Sequence, residues 1–217
     1  DKLMVQFIGS IDKDEVLLML SNIVDVIYIN KTLIFGSKSL MVNLGKYKYM
    51  VSPISFFQVN SKQTIKLYDK VKEFLGKDRG NVLDLYCGTG TIGIYVSDVV
   101  KSVYGIEINE SSVMDAKSNI KLNSLDNVNV VLGDVGKLID SSKKYDAIIV
   151  DPPRSGLDNR TKKALLEIKS RDIIYVSCDP MTLARDLKEL QDVYDVIDIN
   201  LFDMFPNTYH VESVVLM

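Results

Sequence analysis

Two cysteines stand among 217 residues, and one of them, Cys178, closes the apolar run IIYVSCDP directly before an acid and a proline. A thiol at the end of a strand leaves the core and faces the rim of the sheet, where its thiolate can act as a nucleophile. If a methyl donor lies over the same rim, the acceptor that needs a thiolate is a pyrimidine. C5 of uracil is too weak a nucleophile to take a methyl group unaided, and sulfur addition at C6 turns the ring into an enolate with electron density at C5. The adduct must then lose its C5 proton to a general base before sulfur can leave. The tail FPNTYHVESVVLM offers two candidates, the sole histidine, His210, and Glu212, which opens the final strand. Either is open at this point, since a strand-end acid is commonly solvated and a lone histidine commonly structural.

The donor is read from the turn DLYCGTGTIG, residues 84 to 93. Gly88, Gly90 and Gly93 satisfy the dinucleotide spacing G-x-G-x-x-G, and Glu107 ends the following strand as the ribose-binding acid of that pattern does. The acid inside the first strand, Asp84, and the tight Cys-Gly-Thr-Gly core instead suit a ligand with a cationic centre and no phosphates, which is S-adenosylmethionine. On that reading Glu107 takes the ribose hydroxyls, the turn at Gly88 receives the amino-acid end, and Asp134 of LGD reaches the adenine amino group. The alternative is that Glu107 and Asp134 are only polar strand ends. DPPR, residues 151 to 154, follows the fourth strand, with two prolines stiffening the turn that carries Asp151. It reads either as a ligand-facing motif or as a rigid turn before a helix. Arg154 is a cationic neighbour expected to lower the pKa of Cys178. Cys87, against the glycine turn, reads as packing.

The elements that must position these groups follow from the period of the apolar residues. Residues 31 to 53 alternate as short strands, 61 to 75 carry apolar positions at helical spacing, and from residue 82 strands alternate with helices. Near-continuous Val/Ile/Leu strands between helices predict an α/β, Rossmann-like, mostly parallel seven-stranded sheet covered on both faces. The last two strands have no helix between them, which predicts a terminal antiparallel hairpin with one antiparallel edge strand. A small β-rich appendage, 1–53, precedes a catalytic domain, 54–217. The composition is 47% hydrophobic with a net charge of -3, giving no electrostatic ground for non-specific nucleic-acid affinity. No apolar run is long enough for a membrane span and no secretory signal opens the chain, so a cytoplasmic monomer is expected, without membrane or metal partners. The chain enters mid-pattern at Asp1, which suggests a processed or truncated polypeptide.

Taken together, SPISFFQVN, LDLYCGTGTIGI, YGIEIN, DAIIVDPPRSGL, IIYVSCDPMTLARDL and FPNTYHVESVVLM resemble the RNA 5-methyluridine (uracil-C5) methyltransferase family, the transfer and ribosomal RNA enzymes, from about Ser52 to Met217. The resemblance implies that Cys178 is the nucleophile and Glu212 the proton acceptor. It also implies donor contacts at Gln58, Tyr86, Glu107 and Asp151, with Asp151 close to the target base as well. Phe56 and Phe57 either stack on a base or pack; Phe57 and Arg154 are taken as substrate-side residues. RNA is then the partner, ribosomal RNA ahead of tRNA, with a loop or bulge as the site, because the uridine must be unstacked. Family members usually carry an N-terminal RNA-binding barrel, and many an iron–sulfur cluster on four cysteines, which two cysteines cannot supply. A catalytic half of this kind is expected to bind donor yet methylate RNA poorly. Three other readings remain: a DPP-motif amino-group methyltransferase, a nicotinamide-dependent oxidoreductase on the same glycine pattern, and an RNA-binding module without catalysis.

Overall fold

The computed structural model describes residues 2–53 and 56–217. Residue 54, where the catalytic domain is predicted to begin, and Ser55 of SFFQVN lie outside the described residues. The chain opens with β1 (Met4–Phe7), α1 (Lys13–Leu20), β2 (Val26–Ile29) and β3 (Thr32–Gly36), then β4 (Leu40–Leu44) and β5 (Tyr47–Val51). After α2 (Ser61–Leu75) come β6 (Arg79–Leu85), α3 (Thr91–Val96), β7 (Val100–Glu107), α4 (Glu110–Leu122), β8 (Val128–Leu132) and α5 (Val135–Leu138). Finally there are β9 (Ala147–Val150), α6 (Asn159–Ile168), β10 (Asp172–Ser177), α7 (Pro180–Leu190), β11 (Asp198–Phe202) and β12 (Glu212–Leu216).

The β-rich appendage contains a helix that its alternation does not predict. β1 and β2 pair in parallel with α1 as the crossover, and β3 pairs antiparallel to β2. The carboxylate of Asp12 caps α1 by accepting the N–H of Asp14 and Glu15, but Val16 is the only residue of the helix that is fully buried, so its apolar face is narrow. The β4–β5 hairpin stands apart as its own two-stranded sheet. Leu44, Tyr47 and Tyr49 bury themselves in the main core with Tyr68 and Tyr95. Two asparagines of α4 extend the hairpin edge: Asn119 Oδ1 accepts the Met50 N–H at 2.7 Å and Asn123 Oδ1 that of Lys48 at 2.9 Å, while each side-chain amide donates to the same residue's carbonyl. An edge that would otherwise expose unpaired backbone groups is covered by a helix in this way.

The main sheet has seven strands in the order β11-β12-β10-β9-β6-β7-β8. Alternate strand residues face opposite ways. Val82, Ile149, Ile174 and Val214 therefore pack under α2 and α3, whereas Leu83, Ile148, Ile173 and Val215 pack under α6 and α7. The terminal hairpin is present, with one correction to its expected geometry. The antiparallel strand is not at the edge: β12 inserts between β10 and β11, pairing antiparallel with both. Composition gives the reason, because the ESVVL strand is buried on both faces while DINLF of β11 is half exposed and tolerates the edge. β6, β7, β9 and β10 thus end at one rim, and β12 begins there.

Candidate active site at the strand rim

The glycine turn makes the first half of the rim. The backbone reverses through positive φ at Tyr86 (61°), Gly88 (54°) and Gly90 (74°), the last of these capping α3. A Cβ added at Gly88 would meet nothing within 4 Å, so this glycine leaves an open cradle above the turn as well as accommodating its φ. Glu107 holds the cradle from below: Oε2 accepts the Gly88 N–H at 2.9 Å and Oε1 the Asn109 N–H at 2.7 Å. Asp84 is buried beneath the turn with Oδ2 accepting the Gly93 N–H at 3.1 Å, and burial pushes its carboxyl up to about 7, a shift that the Gly93 bond opposes and Glu107 adds to. Asp134 caps α5 from a half-buried position without a side-chain cap bond. The Tyr86 hydroxyl meets Thr161 Oγ1 at 3.2 Å on α6 and Asp158 Oδ2 at 3.3 Å at that helix's cap.

A donor with a cationic centre fits this half. Among the described residues, Gln58 Oε1, Asp84 Oδ1 and Thr89 Oγ1 are buried without a hydrogen-bond partner, and Gln58 and Thr89 lie in the two segments expected to meet the donor. Buried polar atoms are rarely left unpaired, so the orphans of Asp84 and Thr89 at an open glycine turn mark a place for a polar ligand. The protonation-prone Asp84 gains most from a positive neighbour. Thr89 was not singled out in the sequence; its only signal was its place between two glycines of the turn.

The second half of the rim gathers the other candidates. Ser177 of β10 pairs with Ser213 of β12, so the antiparallel register brings Cys178 opposite Glu212. Asp151 follows β9, its N–H donating to the Leu85 carbonyl at 3.3 Å. Cys178 is half-buried and its pKa is raised: burial is the main cause, the carboxylates of Glu212 and Asp151 add to it, and Arg154 opposes it. This corrects the expectation of a lowered thiol pKa. Arg154 is a neighbour as foreseen, but it is exposed and outweighed by two acids arriving from other strands. Glu212, itself only 4% exposed, is also shifted up by burial, with Arg154 again pulling down. Asp151 is pushed well up by burial, by Glu212 and by Asp84. Asp179 caps α7, accepting the N–H groups of Met181 and Thr182 at 2.9 Å each, and its pKa is lowered by those bonds and, more weakly, by Arg154.

The remaining candidates separate. Phe57 packs into the core with its ring 5.9 Å from that of Tyr49, whereas Phe56 is 74% exposed. Asn60, which ends the same turn, caps α2 and donates to the Met204 carbonyl at 3.2 Å, tying the turn to the tail. His210 meets the Phe205 ring edge-on at 6.0 Å and the Tyr209 ring at a tilt, 4.2 Å between centroids. Cys87 is buried among Val113, Ala116 and Val130 and is raised well above an ordinary thiol by that burial, as a packing residue is. Among the described residues no group of three or more His, Cys, Asp or Glu is arranged to hold a metal ion, and no helix is long and apolar enough to cross a membrane.

A family model described as tRNA (Uracil-5-)-methyltransferase matches residues 22–217. The chain is 45% identical over 187 residues to an uncharacterized RNA methyltransferase of Clostridium acetobutylicum, covering 85% of this chain and 41% of that protein. One of Clostridium tetani is 41% identical over 190 residues with the same coverage, so this chain spans well under half the length of these relatives. Among solved structures, the tRNA (uracil-54, C5)-methyltransferase of Pyrococcus abyssi in complex with S-adenosyl-L-homocysteine superposes with a TM-score of 0.84 at 34% identity, covering 100% of this chain and 56% of that one.

Proposed function

From the premise that this chain belongs to the tRNA (uracil-5-)-methyltransferase family, we propose that it is the catalytic part of an S-adenosylmethionine-dependent enzyme that methylates C5 of a uridine in RNA through a covalent Cys178–C6 adduct. The observation that carries the reading is the β10–β12 register, which sets the only half-exposed thiol of the chain opposite a buried carboxylate at the rim of the glycine turn.

Gln58, Asp84, Thr89, Gly88 and Glu107 would hold the donor, with Asp134 toward its adenine. S-adenosylmethionine, when bound, supplies an electrophilic methyl group on a sulfonium sulfur. Cys178 releases its proton to solvent, and its sulfur bonds C6 while the C5–C6 π pair moves toward O4 as an enolate, which makes C5 nucleophilic. Once C5 carries the methyl group, Glu212 takes the C5 proton; the freed pair restores the C5–C6 double bond and expels sulfur. A carboxyl raised by burial suits that step, because its basicity is nearer to neutral pH than that of a solvated glutamate. Asp151 lies between the two halves, and Phe56 is the more exposed ring of its pair for contact with RNA bases.

The target must be turned out of any stack to reach Cys178, which favours a loop or bulge. Ribosomal RNA is the first substrate to test and tRNA the second, the latter because the Pyrococcus abyssi protein is a tRNA uracil-54 methyltransferase. The test is a denaturing gel of the chain with donor and 5-fluorouridine RNA hairpins, in which fluorine in place of the C5 proton blocks release. A stable adduct with the native chain and none with Cys178→Ala supports the reading. Methylation of RNA by Cys178→Ala would refute it.

A further inference from the structure

Asp186 is a charged side chain with no solvent exposure, and its partners reach across three segments of the site. It lies on α7, the helix that begins two residues after Cys178. Its Oδ2 accepts the Leu157 N–H at 2.7 Å and the Tyr175 hydroxyl at 2.8 Å. Its Oδ1 accepts from Arg185 Nε at 3.0 Å and Nη2 at 2.8 Å, with Lys162 of α6 at 3.8 Å. Arg185 Nη2 also donates to the Ser155 carbonyl at 2.8 Å. Tyr175 is on the nucleophile's own strand, and Ser155 and Leu157 belong to the loop that carries Asp151 and Arg154.

The loop is shaped to receive this pair. Gly156 has φ 75°, its N–H closes a turn on the Pro153 carbonyl at 2.8 Å, and a Cβ there would run into Arg185 Nη2 and Asp186 Oδ2. No other residue type lets the loop sit so close. A purely structural ion pair would be expected to join elements without regard to the chemistry. Here both anchor points lie within three residues after the one that opposes the acids around the thiol: Ser155 follows Arg154 directly and Leu157 two residues later.

We infer that Arg185 and Asp186 are positioning residues for the proposed reaction, a clamp that locks residues 154–157 to the nucleophile's strand and so fixes Arg154 against Cys178 and Glu212. The inference rests on the reading of Cys178 as nucleophile. The thiol's ionisation is set by its burial, by Glu212 from β12 and Asp151 at the end of β9, which raise its pKa, and by Arg154 from the clamped segment and a backbone hydrogen bond, which lower it. Asp151 is held separately, by its N–H bond to the Leu85 carbonyl and the two prolines after it, so loosening residues 154–157 removes the contribution of Arg154, the one cation, while the acids at Glu212 and Asp151 stay in place. A 1 Å error in such a constellation costs up to about a hundredfold in rate.

The test is a two-by-two cycle of Arg154→Ala and Arg185→Ala, read as the pH midpoint of Cys178 alkylation by iodoacetamide with Cys87→Ala as background. Arg185 is half exposed, so its removal leaves the core packed, and calorimetric binding of S-adenosylhomocysteine checks that the donor half stays intact. Each single variant should raise the midpoint by a few tenths to about one pH unit, and the double variant should do no more than Arg154→Ala alone, since the clamp acts through Arg154. Arg185→Lys, which can still reach the Ser155 carbonyl, should recover part of the shift. An unchanged midpoint in Arg185→Ala, or additive shifts in the double variant, overturns the inference. Because alkylation needs no RNA, that failure is distinct from a Cys178→Ala variant that still methylates.

Discussion

The two halves of the rim solve opposite problems. On the donor side the polar groups are held by backbone: Glu107 by two N–H groups, Asp84 by Gly93, and the turn by positive-φ residues. On the acceptor side the groups are set against one another, a thiol and two acids sharing a space with a single exposed arginine, and all three are shifted toward their neutral forms. The first half is pre-formed by these bonds. The second stores an unfavourable concentration of negative charge that is relieved by protonation. Each half contains one cysteine, and the contrast between Cys87, sealed under the turn, and Cys178, open to the rim, follows the same division.

The sharpest way to break this comparison is Glu212→Gln. Proton removal from C5 should fail, lowering turnover by about 10²- to 10⁴-fold and leaving the Cys178 adduct to accumulate on ordinary uridine RNA, visible on denaturing gels. The same variant removes one of the acids around the thiol, so the alkylation midpoint should fall. A rise would mean that the acids do not crowd Cys178.

The donor half is tested through stability. The Asp84 carboxyl stands at about 7 in the folded chain against an ordinary 3.8. The folded state therefore keeps a proton that the unfolded chain gives up, and burial of Asp84 costs nothing below pH 4 and progressively more as pH rises to 7. Asp84→Asn should raise unfolding stability by up to about 4 kcal/mol at pH 8 and by little at pH 4, as measured by urea titration, while weakening donor binding in calorimetry. Equal effects at both pH values would contradict the placement of an ionising group there.

Cys87→Ala should have the smallest effect. It removes a buried sulfur from the cluster with Val113, Ala116 and Val130, at a cost of about 1 kcal/mol in thermal unfolding, with Cys178 alkylation unchanged. A shift in that alkylation would tie the two thiols together and dissolve the division between the halves.

What the sequence made legible was whatever a short stretch encodes by itself. α2 and α7 follow from apolar spacing, while their caps at Asn60 and Asp179, each contributing about 1 kcal/mol locally, emerge only in the structure. The strand-end acids follow from the parallel α/β rule. The insertion of β12 between β10 and β11 was not legible, because strand order depends on which apolar faces can both be covered. The direction of the Cys178 shift was missed for the same reason: Arg154 and Cys178 read as a simple pair until the distant Glu212 and Asp151 arrive beside them. α1 was missed because its buried face amounts to Val16 alone. Asp186 reads in sequence as one more charged residue on an amphipathic helix, and only the loop folded back onto it gives it a task.

The asparagine ladder of α4 carries a mechanical consequence. Asn119 and Asn123 bolt the far end of that helix to β5, while Asn109, at its near end, donates its backbone N–H to Glu107. An unbroken run of hydrogen bonds and helical backbone therefore joins the hairpin edge to the acid beneath the glycine turn.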